Sequence, residues 1–346
     1  MRAAVMQEVR KITMEERPVP QAGPGEVLIR VDHCGICGSD IHYYGQGRVG
    51  DFVVEKPIIL GHECAGVVVE TGENVTRVKK GDVVAVEPGC TCGKCEFCKS
   101  GKYNLCPDVR FLATPPYDGA FVEYLAYPAD MVFPLPASMD TVEGAMLEPF
   151  CVGLHAAMQS ECRPGQSAAI LGAGCIGLCT MLALFVMGVR EVYVADRIEK
   201  RLQMARELGA ASAVDAGGTD AVQEILEKTG GRGVDLVFET AGTEQTLQQT
   251  ASLVARGGTV VLVGMASNPV FRYDFGKIMN KEAKLHTVFR YRNLYPLAIK
   301  TVSEQNVPLK KIVTDFYSFE KAAEAMEDSV RRKADIVKAV IAFGKK

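Results

Sequence analysis

A chain of 346 residues is long enough for about two domains at roughly 150 residues each, and its 48% hydrophobic content can fill more than one core. Lys and Arg total 39 against 42 for Asp and Glu, a net charge of −3, which gives no electrostatic reason to expect a nucleic-acid partner. Charges from Glu8 to Lys11 interrupt the first apolar stretch, and the longest apolar run, residues 175–189, is short for a bilayer and contains glycines, so the expectation is a cytoplasmic protein with no membrane partner.

Short strands broken by glycine turns come first, at residues 26–31, 64–70 and 82–86, with another around 121–127. Such runs predict a small β-rich barrel or sandwich. Near Ser167 the rhythm changes. Strands at 168–171, 191–195, 234–238 and 259–263 alternate with helical segments, among them an apolar helix at 175–187 and an amphipathic one at about 198–208. That alternation calls for a parallel, doubly wound sheet, and the whole is α/β. After about Lys284 the pattern returns to mixed strands and helix, and residues 336–342 read as a final strand.

Gly172-Ala173-Gly174-Cys175-Ile176-Gly177 lies directly between a strand and a helix. The first glycine permits a tight turn and the second lets the backbone approach a pyrophosphate. The third allows close packing of the helix, whose N-terminus supplies amide donors. Asp196 ends the next strand, where an acidic side chain binds ribose hydroxyls and repels a 2′-phosphate. NAD is therefore expected over NADP, with Arg197 and Arg201 near enough to soften the repulsion.

Five of the twelve cysteines crowd into residues 90–106. Cys92, Cys95, Cys98 and Cys106 have the spacing of a closed tetrahedral zinc shell, which leaves no position for substrate and is structural. Lys94, Lys99 and Lys102 offset the excess negative charge. Cys90 is a fifth cysteine and leaves the ligand assignment open. A second constellation comes from three separated pieces, residues 34–42, Gly61-His62-Glu63 and Glu148-Pro149. Cys37, His62 and the carboxylate of Glu63 supply three ligands, with the fourth position open to water or substrate. Ser39 and His42 are spaced to pass an alcohol proton outward, with His42 as the final acceptor. His33, His155 and His286 receive no role. Cys34, Cys64, Cys151, Cys162, Cys175 and Cys179 are expected to be small buried hydrophobes.

On Cys-Gly-Ile-Cys-Gly-Ser-Asp at 34–40, Gly-His-Glu at 61–63, Gly-Asp at 81–82, the four-cysteine lobe and the glycine motif, the sequence resembles the zinc-containing medium-chain dehydrogenases over nearly its whole length. Within them it is similar to the polyol branch, typified by sorbitol (L-iditol) and xylitol dehydrogenases. The narrower markers are His42-Tyr43, residues 113–116, Glu148-Pro149 with residues 152–155, and Phe289-Arg290-Tyr291 followed by Pro296. The resemblance implies a GroES-like catalytic domain formed by residues 1–150 and 290–346, with a Rossmann NAD-binding domain at 151–289 inserted between them. It implies one catalytic zinc at Cys37, His62 and Glu63, with Glu148 close by as an exchangeable ligand or a base acting through water, and one structural zinc. It also implies NAD bound at Gly172, Gly174, Ile176, Gly177, Asp196 and Arg201, and a polyol site lined by Tyr43, Phe111, Thr114, Arg290 and Tyr291. The assembly implied is a homotetramer.

Animal sorbitol dehydrogenases commonly lack a complete structural-zinc lobe, whereas all four cysteines are present here, which points toward a microbial or plant-like member or a neighbouring branch. L-threonine, butanediol and L-arabinitol dehydrogenases share much of the framework. Phe289-Arg290-Tyr291 with Thr114 favours polyhydroxyl recognition. A non-catalytic structural protein on this scaffold would have lost metal ligands, yet Cys37, His62, Glu63 and Glu148 are intact.

Overall fold

Val27, Ile29, Val31 and Cys34 all lie along the strand Glu26–Gly35 and are at most 1% exposed. That burial follows from the strand's central place, since it pairs antiparallel with Glu63–Thr71 on one edge. On the other it pairs with Tyr124–Pro128 near its start and Ala339–Ala342 near its end. Val83–Val86, Val132–Pro134 and Asp315–Ser318 complete a seven-stranded sheet. Register sets Glu63 and Val340 on either side of Gly35. The first core gathers around this sheet, with Met6, Leu60, Phe121 and Phe319 fully buried in it.

The computed structural model describes residues 1–266 and 270–344. It separates into one unit of Met1–Glu148 with Tyr295–Lys346 and a second of Pro149–Leu294. The second unit is a six-stranded, all-parallel sheet. Its order is Ser212–Asp215, Glu191–Asp196, Ser167–Leu171, Val234–Glu239, Val254–Leu262 and Lys284–Thr287. The direction of winding reverses between Ser167–Leu171 and Val234–Glu239. Ligands of such sheets bind beyond the carboxyl ends of the strands at that reversal. The helix Cys175–Val186 leaves the sheet there and buries every residue from Gly177 to Leu184. By contrast Glu199–Glu207 buries only Leu202 and Ala205 and turns its charges outward.

Three details differ from the sequence expectation. The final strand is Ala339–Ala342, because Val337 donates to the Thr314 hydroxyl and the Lys338 carbonyl accepts from the Thr314 amide instead of joining the ladder. The strand expected at 259–263 begins at Val254, five residues earlier, across a polar Arg256-Gly257-Gly258 interruption that hides it from an apolar-run reading. Cys162 and Cys175 are half-buried, at a helix-to-strand turn and a helix start, whereas Cys34, Cys64, Cys151 and Cys179 are buried. Among the described residues no helix is long and apolar enough to cross a membrane.

Candidate metal centres and cofactor turn

Cys37 caps the helix Gly38–Gln46 with extended backbone, and Asp40 in the first turn reaches back to it. One Asp40 oxygen accepts the Cys37 amide at 2.9 Å and the other accepts the Gly61 amide at 3.0 Å. The same carboxylate lies 3.7 Å from His62 Nδ1 and is wholly buried. Asp40 thereby fastens the cysteine turn to the segment that runs through His62 into the strand beginning at Glu63. The ligand atoms of Cys37, His62 and Glu63 fall within 4.8 Å of one another. Gly35 makes room for this, since a Cβ there would meet Glu63 Oε2 at 2.0 Å.

Burial opposes a charged imidazole at His62, but Asp40 and Cys37 outweigh it and raise the ring well above its usual range. The Asp40 carboxylate and the Cys37 thiol beside the ring give the site a field that favours a cation. Thiolate, imidazole and carboxylate are a zinc donor set with one position left open, and a carboxylate behind the imidazole orients the ring. The residues present therefore fit zinc.

Ser39 and His42 lie one turn apart on the helix Gly38–Gln46, both half-buried. Burial and then Lys333 lower the His42 pKa against a hydrogen bond with Gln46. Tyr43 is buried on the same helix, and the Phe111 ring sits 5.4 Å from that of His62. Thr114 follows in a turn, its amide donating to the Phe111 carbonyl. Glu148 is buried at 5% exposure but does not join the 4.8 Å set among the described residues. Arg290 and Tyr291 belong to the second unit. There Arg290 adopts a left-handed backbone with its guanidinium over the Phe289 ring, and Tyr291 is buried.

Cys92, Cys95, Cys98 and Cys106 form the other set, and Cys90, paired in a strand with Arg110, stays outside it. Their sulfur separations of 3.4 Å for Cys95–Cys98 and 3.9 Å for Cys92–Cys98 compare with an edge of about 3.8 Å for a tetrahedron with zinc–sulfur bonds of about 2.3 Å. The amides of Lys94 and Cys95 hold the Cys92 thiol down to about 6, which prepares a thiolate.

Beneath the lobe Tyr103 donates to Glu87 at 2.6 Å. Burial pushes Glu87 up to about 7, against the Tyr103 bond and Arg77. A carboxyl raised in the folded state gives stability that is complete below about pH 4.5 and declines as pH rises through the folded value. Glu87→Gln keeps an acceptor for Tyr103 and removes that decline. Thermal melts should match the parent near pH 4 and show the variant more stable at pH 8 by about 2 kcal/mol. A constant difference at both pH values would contradict this.

In the second unit Gly172 has φ +111°, and a Cβ there would meet the Thr240 hydroxyl at 2.9 Å, while a Cβ at Gly177 would strike the Gly172 carbonyl at 1.9 Å. A Cβ at Gly174 would meet nothing within 4 Å, which leaves the open approach a pyrophosphate needs. Ile176 follows in the helix that Gly174 caps. Asp196 accepts from Ala173 within the turn at 2.7 Å and from its own Arg197 and Ile198 amides at 2.8 and 3.0 Å, with Arg201 3.7 Å away. It pins the glycine turn, and a carboxylate's roughly four acceptor sites leave room for a further donor.

Sequence reasoning missed Asp40, Glu239 and Thr240. Glu239, 4% exposed, accepts the Ala241 and Gly242 amides and the Thr246 hydroxyl on one oxygen. Thr240 donates to the Leu171 and Gly172 carbonyls. Thr240 braces the glycine turn directly, and Glu239 holds the loop that follows it. The Glu-Thr pair closing an apolar strand was the available signal.

Residues 23–137 match the model of the alcohol dehydrogenase GroES-like domain, and residues 175–304 that of zinc-binding dehydrogenase. A sorbitol dehydrogenase from Bacillus subtilis is 46% identical over 99% of this chain and 97% of its own length. One from Arabidopsis thaliana is 36% identical over 95% and 92%. The structure of a short chain alcohol dehydrogenase from Escherichia coli CFT073 with the cofactor NADH superposes with a TM-score of 0.91 at 28% identity over 99% of each chain. With both zinc-type donor sets and the glycine turn in place, the chain belongs to the zinc-binding alcohol dehydrogenase family.

Proposed function

We propose that the protein oxidises a secondary hydroxyl of a sorbitol-, xylitol- or L-iditol-type polyol to the ketose, passing hydride to NAD⁺. The observation that carries this reading is the Cys37–His62–Glu63 set, with its histidine and carboxylate buried and its cysteine half-buried, in a chain similar over 99% of its length to a sorbitol dehydrogenase. When bound, zinc supplies a Lewis acid that polarises the alcohol oxygen. Asp40 keeps His62 oriented for it. Ser39 and His42 carry the alcohol proton outward, and the lowered pKa of His42 leaves the ring neutral and able to accept it. Glu148 serves as a base through water or as an exchangeable ligand. Tyr43, Phe111, Thr114, Arg290 and Tyr291 are the proposed polyol contacts, and the several fixed donors of Arg290 suit adjacent hydroxyls. The reading includes a cytoplasmic homotetramer, and sedimentation of the purified protein tests the assembly.

NADH formation with D-sorbitol, xylitol, L-iditol, ribitol, galactitol, 2,3-butanediol and L-threonine tests the substrate class. A clear lead for sorbitol or xylitol supports the polyol pocket. A lead for threonine or butanediol keeps the zinc chemistry and removes the roles given to Arg290 and Tyr291.

Asp196→Ala takes a negative charge from beside the ribose and an acceptor from the Ala173 amide. The kcat/KM ratio of NAD⁺ to NADP⁺ should fall by about tenfold or more, the equivalent of roughly 1.4 kcal/mol. An unchanged ratio would show that Asp196 holds the turn without selecting the cofactor.

A further inference from the structure

Lys338 is 3% exposed, and all three of its ammonium hydrogens are engaged. Two go to Glu63, at 2.8 Å to Oε1 and 2.7 Å to Oε2, and the third to the Ile36 carbonyl at 3.0 Å. Glu63 is itself 1% exposed. The lysine precedes the last strand, whose Val340 lies opposite Gly35. Its backbone is anchored by the Thr314 amide and hydroxyl. It is therefore aimed at Glu63 by the sheet, not by side-chain drift.

Burying an ion pair is a weak route to stability, and the charges around the centre suggest a different role. Cys37 as thiolate, Glu63 and Asp40 contribute three negative charges, with His62 neutral once it holds a metal. Lys338 reduces the sum to −2, which one dication neutralises. Without it the surplus would rest on Glu63 and draw that carboxylate toward the metal.

We propose that Lys338 is a positioning residue of the metal centre. By holding both oxygens of Glu63 it shares the carboxylate's charge, fixes its aim, and keeps its second oxygen from closing on the metal beside the first, so that the fourth position stays open to the alcohol. This rests on the reading of Cys37, His62 and Glu63 as the catalytic set.

The test uses full-length parent, K338M, K338R, E63Q and the double variant E63Q/K338M. It measures zinc content, zinc release to a chelator, and visible spectra after cobalt exchange. The four-cysteine site is common to every chain and cancels in difference spectra. K338M is expected to keep both zinc ions but release the one at Cys37 about tenfold more slowly, with shifted cobalt bands and turnover lowered by about tenfold or more. NADH affinity should not move. K338R should restore release and spectrum to within about threefold, since its fork can meet both carboxylate oxygens.

Release from K338M that is unchanged or faster overturns the proposal. If K338M does not fold, E63Q and the double variant decide. Their charge sums are −1 and −2, so the double variant should release zinc about tenfold more slowly than E63Q, and equal rates overturn the proposal. A parent chain that binds no second zinc beyond the four-cysteine site would instead remove the underlying assignment of the catalytic set.

Discussion

Cys37→Ala is expected to lower turnover by at least about a thousandfold, corresponding to roughly 4 kcal/mol of lost transition-state stabilisation. The physical reason is that the thiolate is one of three protein donors in the set within 4.8 Å. Its loss leaves an imidazole and a carboxylate already committed to Lys338. A centre short of one anionic ligand holds its metal poorly, and Lewis-acid polarisation of the alcohol disappears with the metal. NADH binding should stay within about threefold of the parent, because the glycine turn is braced inside its own unit by Asp196 and Thr240. Metal analysis, NADH fluorescence titration and steady-state turnover separate the two effects. Full turnover by the zinc-depleted variant would take the metal out of the chemistry. A parallel collapse of NADH affinity would mean that the variant is misfolded and not merely metal-free.

What could be read from the sequence was chemistry carried by neighbours in the chain. The four-cysteine lobe, Gly61-His62-Glu63 and the turn from Gly172 to Gly177 bring their groups together within a few residues, so spacing alone points to their geometry. The doubly wound sheet was equally legible, because strands buried on both faces read as apolar runs. Asp40 lies inside a motif that was noticed, yet its role depends on Gly61, 21 residues away, arriving across the sheet. Lys338 is 275 residues from Glu63, and locally it is only a lysine before an apolar strand. Glu239 was hidden differently: a carboxylate ending a buried strand has no visible partner until the loop folds back and offers two amides. The misplaced strand starts at Val254 and Ala339 share one cause. Backbone pairing ended or began where a side chain or a glycine, not hydropathy, decided it.

Cys98→Ser is expected to loosen the four-cysteine lobe without first touching the chemistry. The segment around it has little else to hold it, since Gly93, Lys94, Glu96, Lys99 and Ser100 are exposed and the helix Glu96–Lys99 has no buried residue. Four thiolates around a dication leave a charge of −2, which Lys94, Lys99 and Lys102 offset. Without the metal those lysines and the prepared thiolate of Cys92 face water with no cross-link between the loops. Metal binding in such a segment is folding free energy, typically many kcal/mol, so its local opening should become easier by about a hundredfold or more. Trypsin reports this directly: the first cuts should move to Lys94, Lys99 and Lys102, with one zinc ion fewer per chain and a lower melting temperature. Turnover measured before cleavage should remain within about threefold of the parent, because Cys37, His62 and Glu63 are held by Asp40 and the central sheet. A variant that melts and resists trypsin like the parent, yet has lost its turnover, would place this zinc in the reaction and not in the scaffold.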